Sequence, residues 1–271
     1  MKKFSLAWDD EEFRERRDSM FAEERQGRIE EILTSKESIK VSEIAEIFNV
    51  SESTIRRDLQ EMEEKKLLTR THGGAVGINR RNFEPSFSEK TEEHSDEKRI
   101  IGELAAGLIE DGDTLIMDSG TTTLEIAKCI KAKNLTVITN SIDIAAELSS
   151  RESVEIIVTG GSLRLNTRAM VGSIADGVLS NFKADKAFIG ANGISVEDGV
   201  TTPNFMEAQT KRAMFNSANK VYVVCDRSKF NEVSFSLISP IRGVTSVITA
   251  GEVDRAILDA FSDVGVEILT R

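Results

Sequence analysis

A regular alternation of apolar runs and helical patterns fills the last two thirds of this 271-residue chain. The runs are short and rich in β-branched residues, which is typical of strands, and helical spacing separates most of them. This alternation predicts a mostly parallel sheet with helices on both faces. Strands are expected at residues 114–117, 135–139, 154–159, 186–189, 221–224, 246–249 and 266–269. Helices are expected at residues 98–109, 122–130, 142–148, 174–182, 205–218 and 253–261.

Residues 25–76 follow a different pattern, three helical segments and then a hairpin. Apolar stripes indicate helices beginning near Arg25, near Val41 and at Ser51, which is a good N-cap. A short apolar run follows, then Gly73-Gly74 as a tight turn and a returning strand. This order predicts a winged helix-turn-helix. The expected fold class is therefore an all-α, winged N-terminal module followed by a Rossmann-like, mostly parallel α/β domain.

The third helix and the hairpin carry the side chains expected to read DNA. Ile55, Leu59 and Met62 recur on one helix face and should be buried, which leaves hydroxyl and guanidinium groups on the other surface. Such groups suit phosphate and base-edge contacts in a major groove. Residues 51–59 alone would be explained by a capped, solvated helix. The complete motif of helix, turn, helix and hairpin favours DNA binding. The predicted contacts are Ser51, Ser53, Thr54, Arg56, Arg57, Arg70 and His72.

Composition limits the partners that the chain can have. The net charge of -11 disfavours non-specific nucleic-acid binding, although it leaves room for a local basic surface. No apolar run approaches the length of a bilayer span, and the charged first residues lack the apolar segment of a signal peptide, so we expect a cytoplasmic protein with no membrane partner. Two cysteines and two histidines indicate buried free thiols rather than a metal site, and we expect no cofactor.

Polar residues follow several predicted strands at their carboxyl ends. The sequence DSGTTT at residues 118–123 opens a helix, where backbone N–H groups, hydroxyls and a glycine can form an anion site. Taken alone, this stretch could equally be only a helix cap. Similar groups at residues 139–141, 159–161, 190–193 and 226–229 favour a pocket for a small, hydroxyl-rich, phosphorylated ligand. A nucleotide is less expected, because there is no GxGxxG or Walker motif.

Two stretches, VSESTIRRDL and LLTRTHGGAV, resemble the DNA-binding domain of the DeoR/GlpR family of bacterial transcriptional regulators. The strand-end loops resemble the effector domain of that family, which is similar in fold to ribose-5-phosphate isomerase. The resemblance covers nearly the whole chain from Arg25 onward. It implies a repressor of sugar metabolism or uptake genes, not an enzyme, whose partners are double-stranded operator DNA and a phosphorylated sugar that releases it from that DNA.

The resemblance also implies roles for single residues. The loop at residues 118–123 would hold the ligand phosphate, and Asp118 would contact a hydroxyl or act as a structural cap. Glu207 and Lys211 lie one helical turn apart and could face the same pocket, although a surface ion pair is the alternative. No residue is expected to be catalytic. The predicted effector-binding set is Asp118, Ser119, Gly120, Thr121, Thr122, Thr123, Asn140, Gly161, Asn192, Glu207, Lys211 and Lys229.

Four segments organise the predicted chain: a charged arm or helix at residues 1–24, the winged module at 25–78, a linker at 79–95, and an effector-binding and oligomerisation domain at 96–271. Because helix-turn-helix proteins bind paired half-sites, we expect a homodimer or homotetramer. The alternative function is a sugar-phosphate isomerase-like enzyme fused to a DNA-binding module. That enzyme would need a general base and a second acid at one carbon, and only Glu207 is a candidate for the base.

One position departs from the family pattern at the end of the recognition helix. Lys66 stands where members of the family usually carry a glycine. A lysine in a left-handed cap is strained by roughly 1 kcal/mol, so we expect the helix end to be shaped differently.

Overall fold

The chain divides into two units, Met1–Arg80 and Arg81–Arg271. In the described residues of the first unit there are three helices and a three-stranded sheet. The computed structural model describes residues 21–35, 38–71, 73–77, 84 and 86–271. Most of the predicted arm and His72 therefore lie outside the described residues. The elements of the first unit are α1 (Ala22–Ser35), β1 (Ser38–Lys40), α2 (Val41–Phe48), α3 (Glu52–Glu64), β2 (Leu68–Thr71) and β3 (Gly74–Gly77).

The wing has one strand more than the sequence predicted. Strands β2 and β3 form the expected antiparallel hairpin, and β1 pairs antiparallel with the other edge of β3. A Cβ on Gly74 would lie 2.0 Å from the carbonyl oxygen of Ile39, so this close approach of β1 requires glycine. The winged helix-turn-helix prediction is confirmed.

The core of the first unit contains an ion pair as well as apolar side chains. The predicted stripe of Ile55, Leu59 and Met62 is buried against α1 and α2, as expected. On the same helix, Asp58 accepts hydrogen bonds from Arg25 Nε at 2.6 Å and Nη2 at 3.1 Å, and both residues are buried. This ion pair links the start of α1 to the middle of α3.

A seven-stranded sheet forms the centre of the second unit. Its strand order is β15-β14-β12-β9-β4-β5-β6, and every neighbouring pair is parallel. All seven predicted strands are in it, which confirms the mostly parallel sheet. They are β4 (Thr114–Met117), β5 (Leu135–Thr139), β6 (Val154–Val158), β9 (Ala184–Gly190), β12 (Ala218–Val224), β14 (Ser246–Ile248) and β15 (Glu267–Leu269).

Helices cover both faces of this sheet because its strands are apolar on both sides. Leu115 and Met117 of β4 pack with α5, α6 and α7, whereas Ile116 between them packs with α8 and α9. No helix in the described part of the chain is long and apolar enough to cross a membrane. The helices are α4 (Phe87–Glu92), α5 (Ser95–Ala106), α6 (Thr121–Cys129), α7 (Ile142–Leu148), α8 (Ser173–Leu179), α9 (Phe205–Asn216) and α10 (Arg255–Asp263).

Three features of this unit were not predicted. Helix α4 lies within the stretch interpreted as a linker, a hairpin joins β7 (Ser162–Arg164) to β8 (Ala169–Val171), and a small sheet contains β10 (Gly193–Ser195), β11 (Gly199–Thr202) and β13 (Ser236–Ser239). The strand order of the main sheet reverses between β4 and β9: β5 and β6 follow on one side, and β12, β14 and β15 follow on the other. Ligands of such sheets bind at the carboxyl ends of the strands beside this point.

Candidate functional site

Hydroxyl groups gather at the start of helix α3 in the first unit. The Ser51 side chain accepts a hydrogen bond from the backbone N–H of Thr54 at 3.2 Å, which confirms the predicted N-cap. The Ser51 hydroxyl also lies 2.7 Å from the Ser53 hydroxyl and 2.8 Å from that of Thr54. Ser51 and Ser53 are exposed, so this end of the helix presents hydroxyls and a positive dipole end to a partner.

The predicted DNA-binding arginines are exposed on the same unit, and each lies beside a glutamate. The pairs are Arg56 with Glu52 at 3.0 Å, Arg57 with Glu61 at 3.5 Å and Arg70 with Glu63 at 4.0 Å. Exposed ion pairs of this kind are worth about 0.2–1 kcal/mol, so DNA phosphates can replace the glutamates at little cost.

The recognition helix ends in the left-handed conformation that the family pattern predicts. Lys66 has a φ of 56°, its N–H donates to the Glu63 carbonyl at 2.9 Å, and the Leu67 N–H donates to the Met62 carbonyl at 2.8 Å. These two bonds form a Schellman motif, in which glycine usually occupies the position of Lys66. The expectation of a differently shaped helix end was therefore wrong, because the two backbone hydrogen bonds keep Lys66 in the left-handed conformation.

A cleft that is open to solvent lies at the carboxyl ends of β4, β9 and β12 in the second unit. The cleft thus lies at the topological switch point, where the strand order of the sheet reverses between β4 and β9. Its lining comes from the loop before α6, the loop after β9, helices α4, α5 and α9, and the end of β12. The lining residues are Phe87, Lys90, Glu93, Lys98, Ser119, Gly120, Thr121, Thr122, Thr123, Thr167, Gly190, Ala191, Asn192, Glu207, Lys211, Val224, Cys225, Asp226 and Lys229.

The N-terminus of helix α6 forms one end of the cleft. Gly120 is its N-cap residue and no side chain caps the helix, so its first-turn N–H groups are available to an anion. Behind this turn, Asn140 Oδ1 accepts the Ser119 N–H at 2.8 Å and fixes the loop. Four lysines line the same cleft: Lys90, Lys98, Lys211 and Lys229.

A buried ion pair lies under the middle of the cleft. Lys211 Nζ donates to Asp118 Oδ2, and also to the Gly190 carbonyl at 3.0 Å. The Gly190 N–H donates to the same Asp118 oxygen at 3.1 Å, whereas Asp118 Oδ1 accepts no hydrogen bond from the described residues. Burial raises the pKa of Asp118, although Lys211 opposes the rise. Lys211 therefore pairs with Asp118 in the interior and does not form a surface pair with Glu207.

Glu207 lines the cleft at the start of helix α9 and belongs to a second buried network. Its Oε1 atom accepts hydrogen bonds from Arg164 Nη1 and from the Thr167 hydroxyl. Burial opposes its ionisation, but Lys211, Thr167 and Arg164 together lower the pKa of Glu207 below its ordinary value. The carboxylate is therefore available as an ionised acceptor for hydroxyl groups.

Nine of the twelve predicted effector residues come together in the cleft. Asn192 is among them, and its Oδ1 accepts the Thr202 hydroxyl at 3.1 Å. Three others lie outside the lining: Asp118 under Lys211, Asn140 behind the loop, and Gly161 against the β8 backbone. A Cβ on Gly161 would lie 2.6 Å from the Val171 carbonyl oxygen.

The sequence interpretation missed the wall that helix α4 contributes. Phe87, Lys90 and Glu93 line the cleft from the stretch interpreted as a linker. A signal was present: Ser86 and Glu89 form a capping box, in which the Glu89 N–H donates to Ser86 Oγ at 3.3 Å and the Ser86 N–H to Glu89 Oε2 at 2.8 Å. No group of three or more metal-binding side chains was found among the described residues.

Family models match both units of the chain. The DeoR-like helix-turn-helix domain matches residues 25–81 and the DeoR C-terminal sensor domain matches residues 93–251. The chain belongs to the DeoR family. This DeoR-family chain is 36% identical to the HTH-type transcriptional regulator YulB of Bacillus subtilis, over 92% of the chain and 96% of that protein. It is 38% identical to the HTH-type transcriptional repressor GlcR of the same species, again over 92% and 96%.

A solved structure shows a more distant likeness. The structure of ribose 5-phosphate isomerase A from Methanocaldococcus jannaschii aligns with 51% of this chain and 55% of its own, at 16% identity and a TM-score of 0.38. The DeoR-family match makes the protein a DNA-binding transcriptional regulator with a small-molecule sensor domain. The alternative of an isomerase-like enzyme is not favoured, because these relatives, which cover 92% of the chain, are named as regulators.

Proposed function

We propose that this DeoR-family protein represses genes of sugar metabolism or uptake, and that a phosphorylated sugar bound in the cleft of the second unit releases it from operator DNA. The observation that carries this proposal is the uncapped N-terminus of α6, which opens into a cleft that also contains Lys90 and Lys229. A phosphate group suits such an end, because the helix dipole and the free N–H groups both favour an anion.

The phosphate would contact the first turn of α6, through the backbone N–H groups and hydroxyls of Thr121, Thr122 and Thr123. Lys229 would supply a counter-charge. Its ammonium group lines the cleft, where its charge also acts on the Asp226 carboxylate and lowers the pKa of that group. Gly120 allows the phosphate to approach the backbone closely.

The hydroxyl groups of the ligand would lie toward the other end of the cleft. Asn192 and the ionised Glu207 offer acceptors there, and Lys211 offers a donor. Asp118 has a buried oxygen without a hydrogen-bond donor among the described residues, and it would act mainly by holding Lys211. A ligand with several hydroxyls and one phosphate matches this division of charge and polarity.

Operator binding would place helix α3 in a major groove. Ser51, Ser53, Thr54, Arg56 and Arg57 would contact phosphates and base edges, with Arg70 and His72 on the flanking backbone or minor groove. Two copies are needed to read paired half-sites, so we infer a homodimer or homotetramer that acts in the cytoplasm.

The test is a thermal-shift screen followed by DNA-release and turnover measurements. The panel contains ribose 5-phosphate, fructose 6-phosphate, fructose 1-phosphate, glucose 6-phosphate and the matching unphosphorylated sugars. Stabilisation by one phosphorylated sugar, weaker binding to DNA upstream of its own gene, and no turnover by NMR would support the proposal. Turnover of that sugar would support the enzyme instead, and stabilisation by unphosphorylated sugars alone would contradict the phosphate assignment.

A further inference from the structure

Arg164, on the β7–β8 hairpin, binds two buried carboxylates that come from different parts of the second unit. Its Nη1 atom donates to Glu207, which lines the cleft, and its Nη2 atom donates to Glu84 Oε2 at 2.9 Å. Glu84 and Glu207 are 7% and 6% exposed at the side chain, so water screens neither of them well. One guanidinium thus joins the ligand cleft to the chain that precedes helix α4.

That chain, Glu84 together with residues 86–93, is here called the connecting segment, because it begins four residues after the unit that contains the recognition helix. The hairpin makes three more contacts with it. The Asn166 side chain donates to the Glu84 carbonyl at 3.0 Å, and the Asn166 carbonyl accepts the Phe87 N–H at 2.7 Å. The Arg168 guanidinium lies 4.9 Å from the centre of the Phe87 ring.

Glu84 is the least satisfied carboxylate of this network. Its Oε1 atom accepts no hydrogen bond from the described residues and lies 3.9 Å from Lys90 Nζ. Burial and repulsion from Glu207 raise the pKa of Glu84, while Lys90 and Arg164 oppose the rise. The position of Glu84 therefore depends on two cations, Arg164 and Lys90.

A ligand in the cleft would change the contacts of both cations. A phosphate at the start of α6 attracts Lys90, which lines the same cleft, and a hydroxyl that donates to Glu207 competes with Arg164 for the same carboxylate. Both changes alter how firmly Glu84 is held. A ligand shifts a protein between two arrangements only when it binds them unequally, and these contacts supply such a difference.

We propose that Arg164 and Glu84 couple ligand binding in the cleft to DNA binding, by setting the arrangement of the connecting segment. Arg164 acts as a positioning residue rather than as a ligand contact. This inference rests on the proposed function, because it assumes that a phosphorylated sugar occupies the cleft and weakens DNA binding.

The test compares Glu84→Gln with Glu92→Gln, an equivalent change at an exposed residue of helix α4. For the full-length proteins, DNA affinity is measured by fluorescence anisotropy with and without ribose 5-phosphate, fructose 6-phosphate, fructose 1-phosphate and glucose 6-phosphate, one at a time. Calorimetry gives the affinity for each sugar phosphate separately. Arg164→Gln and the double variant complete a cycle, which shows whether the two residues act as one unit.

Coupling between sites is typically about 5–150-fold, so we expect a sugar phosphate to weaken DNA binding of the unchanged protein about tenfold, and that of Glu84→Gln about twofold. Glu84→Gln should keep its affinity for the sugar phosphate, Glu92→Gln should behave as the unchanged protein, and the double variant should lose no more coupling than either single one. Full coupling in Glu84→Gln, or loss of coupling explained by lost sugar binding, would overturn the inference. Absence of any response in the unchanged protein would overturn the proposed function, and this inference with it.

Discussion

Lys211 of helix α9 donates a hydrogen bond to Asp118 at the end of strand β4, and both side chains are almost completely buried. The pair closes the floor of the cleft between strands β4 and β9, where the strand order of the sheet reverses. Charge at this depth is tolerated because each partner neutralises the other. An ion pair therefore holds the floor of the site, and removal of either partner would leave the other charge buried and unpaired.

Replacing Lys211 with methionine should destabilise the second unit by about 3–5 kcal/mol, because the Asp118 carboxylate is left buried without its cation. The free energy of unfolding in urea measures this loss. The double variant with Asp118→Asn removes both charges and should recover most of it. A single and a double variant of equal stability would show that the pair is not the cause.

The ionisation of Glu207 predicts how the second unit responds to acid. Lys211, Thr167 and Arg164 outweigh burial and lower the pKa of Glu207 in the folded protein. Its contribution to stability is therefore present above the ordinary glutamate pKa of about 4.3 and is lost as the pH falls below that value. Urea midpoints between pH 6 and pH 3 should fall less steeply for Glu207→Gln. Equal slopes would contradict the assigned ionisation.

The left-handed Lys66 predicts a stabilising substitution in the first unit. Lys66→Gly should raise the free energy of unfolding by about 1 kcal/mol, because glycine adopts a positive φ without steric cost. The neighbouring Lys65 has a φ of -79°, so Lys65→Gly should destabilise the unit instead. Chemical denaturation of both variants checks the opposite signs. Two losses would mean that Lys66 is not strained.

DNA binding should depend on the recognition-helix arginines through the phosphates. Arg56→Gln and Arg57→Gln should each weaken operator binding by about 1–3 kcal/mol if they reach base edges, and each lost phosphate contact should lower the salt slope by about 1. Arg28→Gln is the control, since Arg28 is a half-buried arginine of α1 that pairs with Glu31. Unchanged affinity and slope in the two helix α3 variants would remove them from the DNA contact.

Local periodicity was sufficient to predict most of the fold. Strands β4 and β5 and helix α7 lie at the predicted residues, because their buried faces repeat at strand or helix spacing. Strands β1 and β7 were missed because each has a single apolar residue, whereas the equally short β14 and β15 lie in apolar runs. Helix α4 is marked mainly by its capping box, since only Phe87 of its six residues is buried.

The ion pairs of the candidate site could not be predicted in the same way. Arg164 pairs with Glu207 and Lys211 with Asp118 across distant parts of the sequence, so no local spacing records them. The loop at residues 118–123 was recognisable because a strand end, a glycine and a helix start are adjacent in sequence. Lys229 was named through the family resemblance, whereas Lys90 was missed, because it reaches the cleft only through the fold of helix α4.

The most direct test of the central proposal is the effect of one lysine on ligand-induced release from DNA. Anisotropy titrations of upstream DNA with the full panel of sugar phosphates would compare the unchanged protein with Lys229→Gln. Lys220→Gln is the control, because Lys220 is exposed on strand β12 and does not line the cleft. We expect Lys229→Gln to bind DNA normally and to need about tenfold more sugar phosphate for release, in line with about 1.4 kcal/mol for a lost charge contact. Release at the same concentration as the unchanged protein would contradict a phosphate site in this cleft.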